Sequence, residues 1–300
     1  MKHFNMTIDT ELPIRYVVVT PVRDEEKYIE HTINSMISQT CLPVEWIIVN
    51  DGSKDRTGEI IEKYARQFEW IHIVQREDRG YRKAGGGVVE AFYEGYNIIR
   101  ENDWDYIVKL DGDLRFENKY FEECFKEFIS NPKLGIGGGT IYNNIGGEYV
   151  REDCPGFHVR GATKIYRKEC WVDIGDLIRA PGWDTLDEIK ANMLGWETHS
   201  FLKILLYQER PTGGANGQWG NFVKNGLANY ISGYHPFFML LKCIKRFSQK
   251  PMIIGSVGLM YGYLSGYLKN IKQVEDKEIL KYIRRQQINR LTFRDSIWRY

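Results

Sequence analysis

Short apolar runs alternate with amphipathic stretches through the first half of the chain. Arg15 to Thr20 (Arg-Tyr-Val-Val-Val-Thr) is β-branched and predicts a first buried strand that Pro21 ends. Asp24, Glu25 and Glu26 then open a helix with apolar positions at Ile29, Ile33, Met36 and Ile37. Glu45 to Asn50 predicts a second buried strand, followed after Asp55-Arg56-Thr57 by a helix through about Phe68. Trp70 to Val74 predicts a third, shorter strand, and helical spacing returns at Val88, Val89, Phe92, Tyr96 and Ile99. Ile107, Val108 and Leu110 mark a fourth strand, which stops at Asp111-Gly112-Asp113. Strands alternating with helices predict an α/β, mainly parallel, doubly wound sheet with helices on both faces. Further on, Gly135 to Tyr142 and Phe157 to Tyr166 read as strands, Cys170 to Gly175 as a short helix, and Gly182 opens a helix that ends at Gly195.

The texture changes from His235 onward. Pro251 to Leu268 contains no charged residue, and Gly258, Gly262 and Gly266 form a small-xxx-small ridge. A helix of that length reaches roughly 27 Å, slightly short of a hydrocarbon core of about 30 Å. Three readings stay open: an interfacial or re-entrant helix, a helix packed on the protein, and a true span. Charge sharpens the contrast. Residues 1–200 carry 25 Lys+Arg and 35 Asp+Glu, a net of −10, whereas residues 201–300 carry 16 and 5, a net of +11. A basic C-terminal third on a chain of net charge +1 implies an anionic partner, and an anionic membrane surface fits it. No nucleic-acid motif appears, so no nucleic-acid partner is expected.

At 300 residues, 43% hydrophobic and 27% charged, the chain holds one large domain with an appendage or two domains. Its five cysteines are odd in number and lack CxxC or metal spacing, which predicts reduced thiols and a cytosolic compartment. Met1 to Thr10 has no apolar core, so no signal peptide is expected.

In a doubly wound sheet, ligands bind outside the carboxyl ends of the strands. That rule sets Thr20-Pro21, Asp51-Gly52 and Asp111-Gly112-Asp113 on one rim. Structure requires turns at such places, but it does not require carboxylates. Two carboxylates flanking a glycine suit a hard cation held against phosphate oxygens, Mn²⁺ or Mg²⁺. An ordinary Asp-Gly turn is the competing reading of that triplet, and helix capping by Ser53 or Asp55 the competing reading of the second.

Val-Val-Thr-Pro-Val-Arg-Asp-Glu-Glu (17–25), Ile-Val-Asn-Asp-Gly-Ser-Lys-Asp-Arg-Thr (48–57) and Lys-Leu-Asp-Gly-Asp (109–113) resemble, in order and spacing, the nucleotide-binding blocks of glycosyltransferase family 2. The resemblance covers roughly residues 14–195. It implies a GT-A fold, a nucleotide-sugar donor, a divalent metal and inversion at the anomeric carbon. By the same resemblance Pro21 and Glu25 line the nucleoside pocket and Asp51 accepts from the base, most often uracil. Asp111 lies near ribose and metal, and Asp113 binds the metal. The run Arg79 to Gly87 is similar to the glycine-rich segment of polyprenyl-phosphate sugar transferases. It is read either as a phosphate cradle in which Lys83 touches the diphosphate or as a flexible loop with solvated charges.

The family places its catalytic base at the start of the helix ending at Gly195, which implies Asp184, with Asp187 and Glu188 as alternates. Trp183 stands where the family usually has Glu, a departure at the base motif. Helix capping by Asp184 is compatible with that role.

These readings imply a GT-A domain over 1–230, with a nucleotide half at about 14–115 and an acceptor half at about 116–230. A basic, apolar helical region over 231–300 follows. The expected protein is a metal-dependent inverting glycosyltransferase on the cytoplasmic face of the cell membrane, acting on a lipid-linked or glycan acceptor. A polyprenyl-phosphate monosaccharide synthase and a non-catalytic nucleotide-sugar-binding protein are the alternatives.

Overall fold

The computed structural model describes residues 14–80, 85–152, 154–210, 217–248 and 251–298. Four parallel strands form one half of the sheet, in the order β3 (Ile71–Arg76), β2 (Glu45–Asp51), β1 (Tyr16–Val22) and β4 (Tyr106–Leu110). The first strand runs on through Pro21 to Val22 rather than stopping at the proline. Successive strand residues point to opposite faces, and this alternation sorts the core into two layers. Val18, Ile48 and Val108 pack beneath α1 (Ile29–Ile37), α2 (Thr57–Ala65) and α4 (Tyr120–Ser130). Val17, Val19, Ile47, Val49 and Ile107 pack against α3 (Gly86–Tyr96) and α5 (Lys168–Ile174).

Beyond β4 the sheet is mixed, which corrects the expectation of a mainly parallel one. The strand β8 (Thr163–Arg167) pairs antiparallel with β4 and with β6 (Leu134–Ile145). Next come β9 (Glu197–Gln208), parallel to β6, and β5 (Leu114–Phe116), antiparallel to β9, while β7 (Glu148–Arg151) extends β6 as a hairpin. The strand expected from Phe157 begins only at Thr163. Residues 157–162 turn instead, closed by Thr163 N–H donating to Arg160 O at 3.1 Å.

Helix α6 (Trp183–Met193) lies between α5 and β9 in the chain, and four helices follow β9: α7 (Gly217–Ile231), α8 (Pro236–Arg246), α9 (Met252–Leu268) and α10 (Lys277–Leu291). A third core joins Leu186 and Ile189 of α6 to Tyr230, Met239, Leu259, Tyr263, Ile279 and Ile283 of these helices. The glycine ridge of α9 faces inward onto α7. A side chain at Gly262 would run into the Val223 carbonyl, so its absence is what lets the two backbones meet. Among the described residues no helix is long and apolar enough to cross a membrane, which removes the spanning reading of 251–268.

Candidate functional site

The parallel strands deliver three polar ends to one rim. Register pairs Val22 with Asn50 and Val19 with Lys109, so the ends of β1, β2 and β4 lie side by side. Gly112 has to be a glycine here, because a Cβ would lie 2.5 Å from Val22 Cγ1. The chain therefore turns tightly under β1 and sets Asp111 and Asp113 on either side of the turn.

Asp113 is buried. Its Oδ2 accepts from Gln208 Nε2 at 3.1 Å, while Oδ1 has no hydrogen-bond partner among the described residues. Burial first, then the charge of Asp111, pushes its pKa up to about 6. Glu25 lies against the same charges: burial, then Asp113, raises it to about 8 despite Arg210, whose guanidinium stands 2.5 Å from its Oε2. Crowded, under-neutralised carboxylates with an unpartnered buried oxygen fit a divalent cation. Among the described residues no group of three or more His, Cys, Asp or Glu surrounds a metal position. Asp111 and Asp113 match the other mode, one or two carboxylates completed by substrate phosphates.

Asp51 ends β2 with both oxygens engaged. Arg76 Nη1 donates to Oδ1 at 2.6 Å and Arg79 to Oδ2, and Arg79 also pairs with Glu90 at 3.2 Å. Each carboxylate oxygen keeps a further lone pair for a nucleobase N–H. Pro21 is half-buried in β1, one residue before Val22. Lys83 lies outside the described residues. Of the glycine run, Gly85 caps α3 at φ +73° and packs against the backbone of Pro181, beside the start of α6.

That start carries Asp184, half-buried, with its Oδ2 3.2 Å from where a Cβ on Gly161 would lie. The Gly161 carbonyl accepts from Lys109 Nζ at 2.5 Å, and Lys109 also pairs with Asp111. Lys109 and Gly161 thus link Asp111 to the neighbourhood of Asp184. Burial pushes the Asp184 pKa up, but His158, Lys164, Arg160 and Lys109 outweigh that and hold it below the usual carboxylate range. Asp184 is ionised at neutral pH.

The neighbouring acids are placed differently. Lys164 Nζ, fully buried, donates to Asp187 Oδ1 and Oδ2 at 2.7 and 2.9 Å and to the Asp184 carbonyl, and it lies 2.8 Å from Glu188 Oε1. Tyr166 Oη donates to Asp187 at 2.6 Å. His158 Nδ1 lies 2.8 Å from Glu188 Oε2, and Val159 N–H donates to Oε1 at 2.7 Å. Asp187 and Glu188 are therefore interior groups that fix the helix start, and Asp184 is the one of the three acids with solvent access. Trp183 stands between Lys109 and Lys164, each Nζ 5.6 Å from a ring centroid.

The glycosyl transferase family 2 model matches residues 17–178. The chain belongs to glycosyltransferase family 2. It is similar to glycosyltransferase GlyA of Streptococcus pneumoniae, 26% identical, covering 51% of this chain and 20% of that protein. It is also similar to the glycosyltransferase EpsJ of Bacillus subtilis (33% identical, 42% and 33% covered). A third relative is the poly-β-1,6-N-acetyl-D-glucosamine synthase of Staphylococcus epidermidis (27% identical, 62% and 46% covered). The chain spans less than half the length of each of these relatives. The fold is shared with the Pyrobaculum calidifontis mannosyltransferase PcManGT, solved with GDP-Man and Mn²⁺, at TM-score 0.54 and 14% identity over 94% of this chain and 76% of that one. It is also shared with Staphylococcus aureus TarS, at TM-score 0.53 and 16% identity over 93% and 52%.

Several side chains of this site escape sequence reasoning. Gln208 reaches Asp113 from the end of β9, an element absent from the expected strands. Lys109 and Lys164 are direct cross-strand neighbours in β4 and β8, and both are buried. Their signal was present: each is a lysine inside an apolar run.

Proposed function

We propose that this glycosyltransferase moves a sugar from a nucleotide-sugar, a UDP-sugar by family expectation, to a lipid-linked or glycan acceptor in polysaccharide or glycoconjugate synthesis. The observation that carries the reading is the juxtaposition at one rim: unpartnered Asp113 Oδ1 beside Asp111, with ionised Asp184 beyond Lys109 and Gly161. A bound Mn²⁺ or Mg²⁺, held by Asp113 and Asp111, would neutralise the charge gathering on the departing diphosphate.

The chain's own groups divide the remaining work. Asp51 accepts from the base, and Pro21 and Glu25 border the nucleoside. Lys83 is assigned to the diphosphate by its place before the glycine run. Lys109 holds Asp111 toward the ribose side. Asp184 takes the proton that the acceptor hydroxyl loses as it attacks, and one in-line displacement inverts the sugar. The likeness to a poly-N-acetylglucosamine synthase favours a glycan product. Localisation at the cytoplasmic membrane face belongs to the same proposal.

Calorimetric titration with UDP and GDP, with and without Mn²⁺, tests the donor site. Metal-dependent binding of one nucleotide, weakened at least tenfold by Asp113→Asn, is expected. Binding of neither nucleotide, or binding indifferent to Asp113→Asn, refutes the assignment.

A further inference from the structure

The helix α9 is inside out for a surface helix. Its inward face is the small ridge Gly255, Gly258, Gly262 and Gly266, packed on α7 and α8. Its outward face carries Ile254, Val257, Tyr261, Leu264 and Leu268 at helical spacing, without a single charged group. Exposure there reaches 82% at Leu268. The helix α8 continues the pattern with Phe237, Leu240 and Ile244, followed by Phe247 just past its end, and the exposed Lys242 and Lys245 flank them. The two helices are joined by Ser256 Oγ donating to Cys243 O at 3.0 Å, which makes one surface of two stripes. Exposed apolar surface of this extent on a folded protein marks a contact with something apolar.

Charge selects the occupant. From Arg210 to Val274 the sequence has eight Lys and Arg and no Asp or Glu. A symmetric second copy would bring this patch onto itself and set like charges against one another. A bilayer with anionic head groups offers apolar chains to the stripes and negative charge to the lysines around them. We propose that the outward faces of α8 and α9 dock in the plane of an anionic phospholipid bilayer. The apolar stripes enter the head-group boundary, and Lys242, Lys245 and Lys269 sit at head-group level. This gives a physical form to the lipid-linked part of the function proposed above. It also bears on the site, because the end of α7 lies against the turn before Asp184: a side chain at Gly182 would meet Ser232 Oγ, one residue past α7, at 2.7 Å.

The test uses the full chain and co-sedimentation with vesicles of phosphatidylglycerol and phosphatidylcholine in equal parts, against pure phosphatidylcholine. Binding to the anionic vesicles is expected, reduced by added salt. It should fall at least tenfold in Val257→Ser/Tyr261→Ser/Leu264→Ser, three exposed positions whose change leaves the urea midpoint in place. Lys242→Glu/Lys245→Glu should weaken anionic binding with the stripes intact. No binding to either vesicle overturns the proposal, as does binding that the triple variant retains. Self-association that the triple variant abolishes, without vesicle binding, overturns it in favour of a second copy. Nucleotide titration on the same preparations separates the two readings, since intact donor binding with failed vesicle binding removes the docking face alone.

Discussion

Replacing Lys164 by methionine tests the support of Asp184 most directly. The ammonium is fully buried and lies 2.7 to 2.9 Å from Asp187 and Glu188, so one cation serves two interior carboxylates. Methionine keeps the bulk and removes the charge, leaving two buried acids with only Tyr166, His158 and backbone N–H groups. Breaking a buried ion pair in this way costs about 3–5 kcal/mol. That is a large fraction of the roughly 5–15 kcal/mol that holds a domain folded. Urea unfolding of the full chain measures it. The loss depends on pH with a definite sign. Burial, then Glu188, already holds Asp187 up at about 6 despite Lys164, and removing the lysine raises it further. A carboxyl whose folded pKa lies above its unfolded value destabilises at high pH and is relieved as pH falls through the folded value. The gap between Lys164→Met and wild type is therefore widest near neutral pH and narrower in mild acid. Lys164 is also among the cations that hold Asp184 low, so its loss moves the acidic limb of the kcat profile upward. A loss under about 1 kcal/mol, or a loss equal at both pH values, refutes this account of the network.

Asp184→Asn is expected to lower kcat by about 10²–10⁴ with little change in donor KM; undiminished turnover would remove the base and point to a phosphate nucleophile, which needs none. Gly262→Ala puts a methyl into the Val223 carbonyl and should destabilise by about 1–3 kcal/mol in urea; a neutral result would mean that α7 and α9 are not in backbone contact. For His158, burial lowers the imidazole pKa, but Glu188 and Asp184 outweigh that and hold it above the ordinary value. Its stabilising charge is fully present below about pH 6.5 and is lost as pH rises through the folded value. The deficit of His158→Gln in thermal unfolding should accordingly shrink toward alkaline pH, and a deficit that grows there would reverse the assigned charge.

The parallel half of the sheet was readable because β1, β2 and β4 are buried on both faces and therefore appear as apolar, β-branched runs. Asp51, Asp111 and Asp113 followed from where those runs stop. The mixed half was harder. Register between β6 and β9 jumps from Gly139–Phe201 to Thr140–Leu205, so Leu202, Lys203 and Ile204 interrupt the period of two that identifies a strand. Leu202 is exposed as a result, and the stretch shows no clean alternation. Lys109 and Lys164 were hidden for another reason. A lysine in an apolar run usually extends its amine to water, and only the fold brings the Gly161 carbonyl to Lys109 and Asp187 and Glu188 to Lys164. The α9 ridge could be read as a packing face, but its partner could not, because Gly226 and Val223 become complementary only once α7 is set alongside.

The placement of Asp184 joins these two levels. Its helix is held from beneath by Lys164 and from the side by α7–α10, since Leu186 and Ile189 belong to the same core as Tyr230, Leu259 and Tyr263. A carboxylate in the first turn of a helix moves with that helix, and α6 has its apolar face in the C-terminal bundle and its charged anchor in the sheet. Displacing the bundle would tilt α6 about the buried lysine and shift Asp184 relative to Gly161 and the rim. Proton transfer is sensitive to such shifts, because it needs heavy atoms within about 2.6–3.2 Å. If Asp184 is the base proposed above, the four terminal helices share in setting its position, although none of their side chains is assigned a chemical role there.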